Sequence, residues 1–101
     1  MNAVLATRWC EPSGLEYASV PTPTPGPGEV LIDVKAIGCN FPDILIIQGK
    51  YQKRPPLPFT PGVEVSGLVR ACGPGAARFK PGDRVFALMG LGAYAEAAVA
   101  P

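Results

Sequence analysis

Apolar and polar residues alternate along much of this chain, and glycine and proline cut the alternation at intervals. Between residues 29 and 37, Val30, Ile32, Val34 and Ala36 fall on one face. Leu31, Asp33, Lys35 and Ile37 fall on the other. A period of two predicts a strand there, with Asp33 and Lys35 toward solvent. Residues 63–72 and 84–89 predict two more strands. Residues 2–8 and 15–20 predict a hairpin turned at Glu11-Pro-Ser-Gly14. Residues 93–99 are expected as a last strand, although AYAEAAVA also has high helix propensity.

Residues 41–48 lose the period of two. Asn40 or Phe41 suits a helix cap, Pro42 its first turn and Gly49 its end, so a short helix is predicted. The run PTPTPGPG at 21–28 holds four prolines, which lack the amide donor that a helix or central strand needs. It reads as a surface connector, and residues 51–61 form a second proline-rich loop. No repeat of 20–50 residues is present. The expectation is one mainly β domain over residues 1–101, with short helical turns.

Composition changes this picture little. Twelve glycines and thirteen prolines would suggest disorder as bulk composition, but they sit between apolar runs, where turns belong. Hydrophobic residues make up 48% of the chain, enough for a core without disulfides or metals. Nine basic and eight acidic residues leave a net charge of +1. Lys53 and Arg54 are the one adjacent basic pair, so no stripe tracks a phosphate backbone and nucleic acid is not expected as a partner. Cys10, Cys39 and Cys72 are odd in number and far apart, with no C-x-x-C, which reads as reduced thiols in a cytoplasmic protein. The start, MNAVLATRWCEPS, lacks the apolar core of a signal peptide, and the longest aliphatic run, Ile44 to Ile47, is far too short to span a bilayer. No membrane association is expected.

Several segments carry a specific resemblance. PGPGEVLIDVKAIGCNFPDILIIQGKY contains Gly-x-Asn-x-x-Asp followed by a short helix and Gly-x-Tyr; PGVEVSG, GDRVFAL and GAYAEAAVAP follow in order. Together they resemble the N-terminal catalytic domain of the medium-chain dehydrogenases and reductases, over nearly the whole chain. The fold so implied is GroES-like, a partly open β-barrel with short helical turns. In the zinc dehydrogenases of that superfamily, the residue between Gly62 and Glu64 is a metal-binding histidine. Here it is Val63, and the chain has no histidine. The metal-binding cysteine two residues after Gly38 falls on Asn40, with Cys39 displaced by one. The four-cysteine structural zinc lobe has no counterpart. The resemblance therefore points to the zinc-free quinone oxidoreductases similar to zeta-crystallin, with no metal.

What that implies is hydride transfer from NADPH to a quinone or an α,β-unsaturated carbonyl in an intact enzyme. The Rossmann cofactor domain is expected to be absent from this chain, which then neither turns over nor binds NADPH tightly. Asn40 and Asp43 are the expected catalytic residues, with Asn40, Phe41 and Tyr51 in contact with substrate or cofactor. An amide donates and accepts together, which suits a nicotinamide carboxamide or a quinone carbonyl. Each residue also has a plainer reading: Asn40 as a helix cap, Asp43 as a first-turn carboxylate favoured by the helix dipole, Tyr51 as packing on the proline loop. Many relatives carry tyrosine two positions after the aspartate; here it is Leu45. Glu64, in an apolar strand, is expected to pair with a basic side chain such as Arg84. Gly90-Leu-Gly92-Ala-Tyr-Ala95 matches G-x-G-x-x-A, but too few residues follow for a dinucleotide-binding βαβ unit. Two further readings stand beside the leading one: a free-standing GroES-like assembly or co-chaperonin-type module, and an enoyl reductase domain. A domain separated from its partner is also expected to associate with itself.

Overall fold

The computed structural model describes residues 1–52 and 54–101; Lys53, half of the adjacent basic pair, lies outside the described residues. Six strands and one helix follow in the order β1 (Asn2–Leu5), β2 (Glu16–Ser19), β3 (Val30–Ile37), α1 (Phe41–Ile47), β4 (Glu64–Cys72), β5 (Arg84–Leu88) and β6 (Ala97–Ala100). A 3₁₀ turn at Pro12–Gly14 leads from β1 towards β2. All pairings are antiparallel: β1 with β2, and a four-stranded sheet in the order β5-β4-β3-β6.

The larger sheet centres on β3 and β4, the two longest strands. Val30, Ile32, Val65 and Val69 bury together with Ala93 and Ala100 in the main core. The predicted alternation in β3 does not hold; burial instead falls off along the strand. Leu31 is buried beside Val30 and Ile32, whereas Ala36, expected inside, is exposed. The pairing with β4 shifts between Leu31 and Ile32 and again between Val34 and Ala36. Each irregularity re-aims the side chains that follow it.

A second core lies under the helix. Ile46 and Ile47 pack with Ala6 and Phe59, flanked by Trp9, Leu15, Leu57 and Leu91. The hairpin is joined to the rest of the fold by two single bridges, Ala3 with Ala95 and, in the second core, Ala6 with Phe59. The predicted strand at 2–8 therefore stops at Leu5 and continues only as that second bridge. The last strand starts four residues later than expected. Gly92 to Ala95 instead form an irregular segment whose backbone bonds go chiefly to residues 60–62 and to Val4. The architecture is mainly β and GroES-like, and the described strands do not close into a full barrel.

Two other expectations are settled by register. Glu64 lies opposite Leu88, while Arg84 lies opposite Leu68 at the far end of the same ladder, so the expected Glu64–Arg84 pair does not form. Among the described residues, the ion pair that forms joins Arg70 and Asp33, both substantially exposed. The glycines at 90–92 sit in the connection from β5 to β6, and a strand rather than a helix follows them. No described helix is long and apolar enough to cross a membrane.

Candidate functional site

The Asn40 turn joins β3 to α1. Asn40 is the N-cap with extended backbone (φ −124°, ψ 155°), and Pro42 occupies the first turn, where its missing amide costs nothing. Asp43, at the third helical position, reaches back as in a capping box: the Asn40 N–H donates to its Oδ2 at 3.0 Å. The Asp43 N–H in turn donates to the Asn40 carbonyl at 3.0 Å. The helix buries Asp43, Ile46 and Ile47 on one face and exposes Phe41 and Ile44. Asp43 is thus carried inward by the same periodicity that places the two isoleucines in the core.

At 4% exposure, Asp43 is the one buried charged residue among those described. Burying a carboxylate is costly unless donors meet it. Two donors converge on Oδ2: the Asn40 N–H and the Tyr94 hydroxyl, the latter at 2.7 Å. Oδ1 is buried without a partner. Burial first, then the hydrogen bond to Asp43 and the proximity of Cys39, push the Tyr94 phenol well above its ordinary range. Tyr94 is therefore a protonated donor throughout the working pH range.

Tyr94 also lines an open cleft of about 470 Å³, mostly apolar, between the β1–β2 hairpin and the end of β3. Val4, Tyr17, Ile37 and Cys39 form other parts of its wall. Of the residues singled out from sequence, Asn40 and Asp43 are brought together on one turn beside this cleft. Phe41 is largely exposed at the head of α1, and Tyr51 is exposed in the loop beyond it; none of these four residues lines the cleft itself. Tyr94 was not foreseen. Its segment reads as strand, and nothing local marks a partner 51 residues away. A tyrosine within a run of alanines and glycines was the available signal, since a buried phenol needs a partner.

Val63 and Asn40 stand at the two positions expected of ligands, Cys39 is exposed beside the turn, and no group of three or more Cys, Asp or Glu converges among the described residues. Zinc needs three or four such ligands.

Residues 26–101 match the family described as the alcohol dehydrogenase GroES-like domain. The chain is 44% identical over 95 residues to quinone oxidoreductase-like protein 2 of Mus musculus, covering 94% of this chain and 27% of that protein. Among solved structures, the human synaptic vesicle membrane protein VAT-1 homolog-like protein superposes with a TM-score of 0.96 at 37% identity, over 100% of this chain and 33% of that one. Escherichia coli quinone oxidoreductase complexed with NADPH superposes with a TM-score of 0.92 at 33% identity, over 99% of this chain and 31% of that one. The chain thus spans about a third or less of the length of these relatives. With strand order, capped helix and sequence in agreement, the chain belongs to the GroES-like N-terminal domains of the medium-chain dehydrogenases and reductases, in the branch of quinone oxidoreductases similar to zeta-crystallin.

Proposed function

We propose that this chain is the substrate-side domain of a zinc-independent, NADPH-dependent quinone oxidoreductase, acting on a quinone or an α,β-unsaturated carbonyl. The observation that carries the reading is the likeness, over 99% of the chain, to a quinone oxidoreductase solved with NADPH, joined to a buried carboxylate on the turn that bears Asn40. The nicotinamide supplies the hydride when the cofactor is bound in the intact enzyme. The work of this chain is to orient and to exclude water. Asn40 is suited to meet a carbonyl or carboxamide with donor and acceptor together. Asp43 holds the Asn40 backbone, and Phe41 and Tyr51 offer exposed aromatic surface to a planar ligand.

The chain alone does not fit a whole dinucleotide. Its G-x-G-x-x-A run leads into β6, so it forms no phosphate-binding loop at the head of a helix. The nucleotide site then belongs to a Rossmann domain outside this chain, and the isolated domain is inactive. Cytoplasmic location accords with the three free thiols. The identity of the relatives favours this reading over a free-standing assembly module.

The test compares the 101-residue chain with a longer protein in which a Rossmann domain is joined to it. The longer protein should consume NADPH in the presence of a quinone. The chain alone should not, and calorimetry should give it a Kd no tighter than roughly millimolar, about 4 kcal/mol. Micromolar NADPH binding by the chain, abolished by substitution of Gly90 or Gly92, or a longer protein inert toward quinones and enones, overturns the assignment.

A further inference from the structure

We propose that Tyr94 is a positioning residue for the reaction assigned above: its hydroxyl holds Asp43 against the Asn40 backbone and so fixes the turn that presents Asn40 to the substrate. The functional half of this inference rests on the proposed quinone reductase reading. The structural half stands on geometry alone.

Tyr94 is anchored independently of the helix it touches. Its N–H donates to the Pro61 carbonyl at 3.0 Å, and its carbonyl accepts from the Val4 N–H at 2.8 Å. Its ring lies on the backbone of Gly62, where an added Cβ would fall 2.5 Å from Cδ1. The phenol is thus placed by β1 and by residues 60–62, and its hydroxyl crosses to α1. The C-terminal end of α1 has its own tether, the Cys10 N–H to the Ile47 carbonyl at 2.8 Å, besides the packing of Ile46 and Ile47. At the N-terminal end, the tether from outside the turn is the Tyr94–Asp43 bond.

The orphaned Oδ1 makes that bond decisive. Both donors meet Oδ2, and Oδ1 has no partner to hold the carboxylate plane. Without the Tyr94 hydroxyl, the carboxylate is free to rotate and exchange its oxygens, and the Asn40 N–H loses a fixed acceptor. Because the phenol stays protonated, the donor is not lost as pH rises through neutrality. Tyr94 also lines the cleft beside Cys39, the residue preceding Asn40, so the wall of the cleft and the Asn40 turn are one mechanical unit.

The test uses Tyr94→Phe, which keeps the ring on Gly62 and removes only the hydroxyl, and Asp43→Asn, which leaves Tyr94 an acceptor. In the 101-residue chain, amide hydrogen exchange read by NMR should speed up at least tenfold at Asn40 in Tyr94→Phe. The amides of Val65 and Val69 in the main sheet should be unchanged. Asp43→Asn should give a smaller gain at Asn40; an equal or larger one would assign the effect to the carboxylate charge and overturn the role of Tyr94. Unchanged Asn40 exchange in Tyr94→Phe overturns the inference whatever the activity. In the longer protein, Tyr94→Phe should lower kcat about tenfold with the KM for NADPH unchanged; an unchanged kcat overturns the functional half. If the unsubstituted longer protein reduces no quinone or enone, the functional reading fails, and the exchange data alone decide whether Tyr94 orders the turn.

Discussion

A series of three glycine-to-alanine substitutions isolates the contact on which the Tyr94 arrangement depends. Gly62 has φ +99°, a region that L-residues rarely adopt, and its Cβ would also fall 2.5 Å from the Tyr94 ring and 2.7 Å from Ala93 Cβ. Gly75 has φ +78° but open space around it. Gly90 has open space and no such backbone constraint. Backbone strain at Gly62 costs about 1–3 kcal/mol. Displacing a packed ring adds about 1–3 kcal/mol more. Less the about 0.4–1 kcal/mol that any Gly→Ala change gains from a less flexible unfolded chain, Gly62→Ala should lose about 3 kcal/mol, a large share of the roughly 5–15 kcal/mol that holds such a domain together. Gly75→Ala bears only the strain, offset by about 0.4–1 kcal/mol from a less flexible unfolded chain, and should lose about 1 kcal/mol. Gly90→Ala should be neutral or slightly stabilising. Urea unfolding reads all three. With a slope of about 1–3 kcal/mol/M, the midpoints of Gly62→Ala and Gly75→Ala should differ by about 0.7–2 M. Equal losses at Gly62 and Gly75 would show that the ring contact contributes nothing and would remove the anchor from under Tyr94.

Other outcomes follow from particular residues. Ile32→Ala, at 1% exposure in the main core, should cost about 3–4 kcal/mol in the same unfolding experiment, and Ile44→Ala, at 40% exposure, under about 1. The Tyr94 phenol ionises later in the folded than in the unfolded state, so the folded form binds more protons at alkaline pH. Its contribution is complete below about pH 10 and declines above it, by at most one proton, about 1.4 kcal/mol per pH unit. That extra alkaline slope should vanish in Tyr94→Phe; an identical slope in both proteins would refute it. Elemental analysis of protein purified without added zinc should find no stoichiometric metal, and one zinc per chain lost on substitution of Cys39 or Cys72 would contradict this. Phe86 and Leu88 stand 85% and 72% exposed on the edge strand β5, so sedimentation across a concentration series should show self-association that Phe86→Lys weakens.

What the sequence made legible was local. β3, β4 and β5 were located to within a residue or two, because glycine and proline turns bound each apolar run, although only β5 alternates in exposure. The helix at 41–47 was readable because Asn40, Pro42, Asp43 and Gly49 are each suited to one position of a short capped helix. The Ala-rich end was placed four residues early. Alanine marks neither an inside nor an outside face, so residues 93–99 gave no phase to follow. Partnerships across the chain were not readable. Glu64 and Arg84 do sit on neighbouring strands, but pairing depends on register, and the register separates them by the length of the ladder. The meeting of Tyr94 with Asp43 depends on how β1, residues 60–62 and α1 are stacked, which no pattern within a single segment encodes.

The position of β6 has a bearing on the birth of the molecule. β3 is completed at Ile37, yet the strand that covers its second edge begins at Ala97, sixty residues later in synthesis. At ribosomal rates of roughly 5–20 residues per second, a nascent chain carries that edge bare for about 3–12 s. During this interval the hydrogen-bonding groups of Val30 to Asp33 offer a template to any matching strand, including the β6 of a chain completed on the same message. Exchanged pairs, with each copy's β6 laid on the other's β3, are the form of misassembly this topology invites, and their yield should rise with crowding on the polysome rather than with the concentration of finished protein.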